Sequence, residues 1–115
     1  QYPAPGSPEL AKETKALIRK TAVGLDESWG LDHGAWSVIK HLYPGADVPV
    51  IELSLDYYQA PQYHYELAGE LKSLREKGVL IIGSGSLIHN LVLATKKPQD
   101  TLRGLGLFAL PVITP

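Results

Sequence analysis

Two short apolar segments, "VPVIELSL" at 48–55 and "VLII" at 79–82, stand either side of one amphipathic segment at about 61–77. No other feature constrains the chain as much. The first segment, entered through Pro49, reads as a strand. The middle one repeats Tyr63, Leu67, Leu71 and Leu74 at helical spacing, and Gly78 closes it. The last is apolar at every position, as expected of a central strand covered on both faces. Strand, helix and strand make a βαβ unit, with parallel strands and a right-handed crossover.

The upstream sequence adds helices. Ser7 followed by Pro8 is a helix start: Ser7 caps, and Pro8 occupies the first helical position, where its missing N–H costs nothing. Leu10, Ala11, Leu17, Ile18 and Ala22 then recur at helical spacing, and Gly24 is the expected stop. "GLDESWGLDHG" is a loop whose short Gly-Leu-Asp echo is too brief for an architectural repeat. Asp32 caps a second helix with Ala35, Val38, Ile39 and Leu42 as its apolar stripe, ended by Pro44-Gly45. A fourth helix is expected from Ser86. "LGLFAL" near the carboxyl end admits an edge strand, and the stretch from Lys96 to Pro115 has no firm assignment. The pattern is α/β: a central, mostly parallel sheet flanked by helices. The chain opens at Gln1 on "YPAPG" and stops at "LPVITP", so an incomplete single domain is expected.

Composition narrows the partners. With 115 residues the chain can bury roughly two-thirds of its unfolded surface. A formal net charge of -1 offers no basic footprint for nucleic acid. No apolar run is long enough to span a bilayer, so no membrane partner is expected. Cysteine is absent, which removes disulfides, thiolate metal sites and a cysteine nucleophile and fits a reducing cytoplasm. A missing part of the domain would leave apolar sheet surface open, so self-association is expected.

Four histidines carry the candidate chemistry: His33, His41, His64 and His89. No pair has a chelating spacing. His33 and His41 share a helix but stand ~12 Å apart along it, and His64 and Glu66 point to different sides of theirs. A complete local metal site is therefore not expected. His41 reads as a surface residue and His64 as half-exposed beside two tyrosines. His89 follows a strand and the glycine-serine turn "GSGS", at the strand end where sites gather in α/β sheets. An imidazole there can exchange a proton near neutral pH. His33 opens a helix, beside backbone N–H groups that attract anions. Gly83-Ser84-Gly85-Ser86 also admits a phosphate cradle, although it matches neither a dinucleotide fingerprint nor a phosphate loop with lysine. A small phosphate- or nucleotide-binding α/β domain is thus an alternative.

"YPAPGSPELA", "GLDHGAW", "LYPGADVPVIELSL", "YHYELAGEL" and "EKGVLIIGSGSLIHNL" together resemble, in the same order over residues 1–91, the class III extradiol ring-cleavage dioxygenases, and most of all their DOPA 4,5-dioxygenase branch. The segment 92–115 has no counterpart in that resemblance. The likeness implies a partial catalytic domain of an oxidoreductase that opens a catechol ring with O2 at a single non-haem Fe(II), or Zn(II) in its place. It implies that His89 is the acid–base residue and that His33 lies in the active site, hydrogen-bonding substrate or bound oxygen. Asp32 and Asn90 would be supports. The metal ligands would lie outside this chain, so the chain alone would hold the proton-transfer half of a site. A non-catalytic relic of the same fold is the second alternative.

Overall fold

The computed structural model describes residues 2–56, 58–84 and the strand at 109–113. In chain order the elements are α1 (Pro8–Leu17), α2 (His33–Leu42), α3 (Pro61–Glu70), a 3-10 helix (Lys72–Lys77), β1 (Val79–Gly83) and β2 (Ala109–Ile113).

The helix starts follow from local chemistry. Ser7 Oγ accepts the Leu10 N–H at 3.3 Å, and Pro8 takes the first position of α1. Asp32 Oδ1 accepts the Ala35 N–H at 2.7 Å and opens α2. Each such cap contributes about 1 kcal/mol. Pro61 opens α3 without a side-chain cap.

The ends obey tertiary contacts more than sequence. α1 stops at Leu17, short of the expected Gly24. Ile18 turns to extended backbone and buries its side chain at 6% exposure. The next two N–H groups, of Arg19 and Lys20, then go to Glu70 Oε2 at 2.9 and 3.2 Å instead of to helix carbonyls. α2 ends where expected, with the Tyr43 N–H on Ile39 O at 2.8 Å. Its stripe is narrower than expected: Ala35 and Ile39 are buried, whereas Val38 and Leu42 are exposed. The expected single helix to Lys77 is two pieces, α3 and a 3-10 helix, which still bury Leu67, Leu71 and Leu74. Gly78, at φ 79°, closes them in the left-handed conformation that suits glycine.

β1 lies between two apolar clusters. Val79 and Ile81 join Leu10, Ile18, Leu67, Leu71 and Leu74 on one side. Ile82 joins Ala35, Ile39 and Val50 on the other. The two-faced burial expected of "VLII" is met only in part, because Leu80 is 41% exposed; the α/β layering of helices on both faces of extended chain is kept.

The sheet itself departs from expectation. Residues 48–55 are not a strand; only Val50 forms a bridge. They keep a strand's alternation all the same, with Val50 in one cluster and Ile51 and Leu53 against the other. The Val50 N–H is taken by Pro5 O at 2.9 Å, so part of this segment's hydrogen bonding goes to the chain entry. β1 pairs with β2, and the pair is antiparallel, from Val79 opposite Ile113 to Gly83 opposite Ala109. The expected mostly parallel sheet is thus not what the described residues form: the partner of β1 is the carboxyl-terminal segment, which runs back along it. β2 overlaps the expected "LGLFAL" strand only at residues 109–110. Pro111 stands opposite Ile81, and a strand holding proline suits an edge. The helix expected from Ser86 lies outside the described residues. Among those residues no helix is long and apolar enough to cross a membrane.

Candidate functional site

The first turn of α2 is held by three tethers from three parts of the chain. The first is its own cap, Asp32, whose carboxylate also meets the positive end of the helix dipole. Gly34 makes room for it: a Cβ there would come within 3.2 Å of Asp32 Oδ1. The second tether is Ser84, just past β1, whose hydroxyl donates to Gly34 O at 2.8 Å across 50 positions of sequence. The third is Glu52, whose Oε2 accepts the Asp32 N–H at 3.1 Å.

His33 is the first residue of this helix and is exposed. Its ring meets Trp36 edge-to-face, with centroids 4.9 Å apart and planes at 74°. Lys40 Nζ stands 4.9 Å from the same indole. The three side chains stand at i, i+3 and i+7, successive steps of three and four along one helical face. The backbone under the imidazole is therefore fixed by hydrogen bonds, and the ring meets the indole edge-to-face while remaining exposed. A small molecule can reach a histidine held this way, and the histidine can pass a proton to it.

Glu52 is half-buried between apolar neighbours. Burial raises its carboxyl above the usual 4.5; the Asp32 N–H pulls the other way, and the nearby Asp32 carboxylate adds to the rise. Glu52 was not among the residues expected from sequence. Its signal was there: a lone charge in the middle of "VPVIELSL".

Of the sequence-derived candidates, Asp32 and His33 sit together at the start of α2, with Asp32 as the cap. His89 and Asn90 lie outside the described residues. The Ser84–Gly34 bond does bring the first half of "GSGS" against the turn that carries His33. It also commits the Ser84 proton to a carbonyl rather than to an anion. His41 is exposed, as expected. His64 is half-buried beside Tyr63, with ring centroids 5.3 Å apart, and its Nε2 lies 3.0 Å from Asp56 O. Among the described residues no three histidine, aspartate or glutamate side chains converge as a metal would require. The described residues therefore do not fit a complete metal site.

A cleft of about 940 Å³ opens between α1, the 18–31 loop, residues 50–56 and α3. Its wall includes Gly30, Leu31 and Glu52 but not His33. Volume alone would point to the middle of this cleft; the tethered polar groups lie at its edge.

The chain matches, over residues 1–108, the family described as the catalytic LigB subunit of aromatic ring-opening dioxygenase. It is 44% identical over 91 residues to the 4,5-DOPA dioxygenase extradiol of Escherichia coli (strain K12), covering 78% of this chain and 34% of that protein. It is 46% identical over 92 residues to the protein of the same name from Beta vulgaris, covering 77% and 34%. The dioxygenase tasH of Hapsidospora irregularis is 34% identical over 95 residues, covering 79% and 29%. The chain thus spans about a third of the length of these relatives. No solved structure gives a significant match.

Proposed function

Since the chain belongs to the LigB family of aromatic ring-opening dioxygenase catalytic subunits, we propose that it is part of the catalytic domain of an extradiol dioxygenase that opens a catechol such as DOPA with O2. The observation that carries this reading is the tethered first turn of α2. It presents an accessible imidazole, His33, on a turn bonded to Ser84 at the exit of β1, and Ser84 precedes His89 by five residues in sequence.

In this proposal His33 hydrogen-bonds the substrate or bound oxygen, and His89 takes and returns the proton. A neutral imidazole is suited to both duties near neutral pH. Asp32 holds the His33 turn, and Asn90 supports His89. The metal, iron or zinc, would supply the site that gathers the catechol and O2. We assign its ligands to sequence outside this chain. The sheet of the complete domain is proposed to be mostly parallel, with residues 48–55 drawn into it. A reducing, cytoplasmic setting fits the absence of cysteine.

The test is steady-state ring cleavage by the complete protein that contains this chain, with metal content and thermal unfolding measured alongside. His89→Ala and His33→Ala are expected to lower turnover with metal still bound, and His41→Ala to leave it near wild type. Turnover retained by His89→Ala with metal bound would make His89 a structural residue and overturn its assignment.

A further inference from the structure

A helix that opens with a capping box satisfies two N–H groups reciprocally. The cap side chain accepts the N–H three residues on, and a glutamate or glutamine at that third position accepts the N–H of the cap residue. α2 has only half of this. Asp32 accepts from Ala35, but Ala35 is fully buried and has no side chain with which to answer. The Asp32 N–H is instead taken by Glu52, 20 positions away.

We propose that Glu52 is a positioning residue for His33, closing from the 48–55 segment the capping box that α2 cannot close for itself. The box sits directly under the imidazole, because His33 follows Asp32 and leads the helix. Without the Glu52 acceptor, the Asp32 N–H must turn to water, and the turn that carries His33 loses one of its three tethers. Asp32 Oδ1 and Ser84 Oγ remain, so the helix still forms while the aim of the ring loosens. Two neighbours of Glu52 anchor it from behind: Ile51 and Leu53 pack against the α1–α3 cluster. The carboxylate therefore acts from a fixed support. What the position needs is an acceptor, not a charge: a half-buried carboxyl above its usual pKa range still offers an oxygen to an N–H.

This rests on the reading of His33 as an active-site group, and two substitutions of similar size separate the possibilities. Glu52→Gln keeps an acceptor and loses the charge; Glu52→Met loses both. In the complete ring-cleaving protein, Glu52→Met is expected to lower kcat roughly 10- to 100-fold, the scale of a small misplacement of a reacting group. Glu52→Gln is expected to stay within about threefold of wild type, since its amide oxygen makes the same bond. In a His33→Ala background the Glu52→Met effect should vanish. In the same complete protein, the Asp32 amide should exchange faster with solvent in Glu52→Met and keep its protection in Glu52→Gln. Wild-type kcat in Glu52→Met, or a tenfold loss in Glu52→Gln with the Asp32 amide still protected, would overturn the proposal. If Glu52→Met does not fold, the Glu52→Gln result decides in the same terms. Wild-type turnover in His33→Ala would instead sink the reading of His33 itself, whatever Glu52 does.

Discussion

On the α1–α3 side of β1, the Glu70 carboxylate accepts the N–H groups of Arg19 and Lys20, just past the end of α1. On the α2 side, Glu52 accepts the N–H of Asp32, where a helix begins. Both carboxylates come from a distant segment and satisfy backbone donors that the helix cannot. Their surroundings differ. Beside Glu70 stands a solvated ion pair, Lys20 with Glu66, and a second, Lys77 with Glu13, joins α1 to the 3-10 helix. Around Glu52 the rim is half-buried, has a second carboxylate beside it, and ends on an exposed imidazole. One device thus serves two ends. Among ion pairs it closes a structural seam; beside an open histidine it is proposed to aim the ring.

The contrast is broken most sharply by turnover. His33→Ala and His89→Ala in the complete protein should each lower ring cleavage by ~100- to 10,000-fold, the range of a positioned acid–base or substrate-contacting group. The unfolding midpoint of His33→Ala should move little, because His33 is exposed.

Core substitutions should reverse that pattern on one side only. Leu74 and Ile39 are each 1% exposed, one in each cluster. Truncating either to alanine should cost about 2–5 kcal/mol in denaturant unfolding. Leu74→Ala should leave turnover per folded molecule unchanged. Ile39→Ala should lower it as well, because Ile39 seats the helix that begins at His33. Equal turnover in the two folded variants would deny that the α2 cluster is tied to the site.

Asp32→Ala should cost about 1 kcal/mol through the lost cap and reduce turnover, whereas Ser7→Ala, which removes the α1 cap at similar cost, should spare it. Unfolding free energies and kcat measured on the same preparations decide the point.

The smallest effect is one of pH. Burial, and then the Asp32 charge, hold the Glu52 carboxyl above 4.5 in the folded chain. Between 4.5 and that raised value the native state binds more protons than the unfolded one, so this group's stabilisation is present below the window and lost as pH rises through it. Glu66 runs the other way. Its hydrogen bonds from Lys20 and Gln62 hold it below 4.5, so its contribution is present above 4.5 and lost as pH falls through the lowered value. Stability followed by denaturant unfolding from acid to neutral pH should flatten just above 4.5 in Glu52→Gln and just below 4.5 in Glu66→Gln. Identical changes in both variants would erase the difference between the two rims.

Much of this could be read along the chain. Ser7-Pro8 and Asp32 place the helix starts because capping depends on a side chain and a backbone group three residues apart. Gly78 marks its stop because only a left-handed residue fits there. The five motifs also carried the family, and with it His33 and His89 as candidates, because order and spacing of residues survive without coordinates. Glu52 was harder to see. A lone charge in an apolar segment signals something, but the Asp32 N–H that explains it is 20 positions away.

The sequence by itself determined the local rules: where helices begin, that residues 79–82 are apolar throughout, that the chain has no thiol chemistry, and which family it belongs to. Only the tertiary structure decided that α1 ends at Leu17 rather than Gly24, that residues 48–55 alternate between two clusters without forming a strand, that β1 pairs antiparallel with β2, and that Ser84 and Glu52 meet the first turn of α2. The physical reason is the same in each case. A cap or a turn is settled by groups within four residues of one another. A strand partner, an early helix end or a borrowed capping acceptor depends on donors and acceptors that meet only when distant segments are folded together.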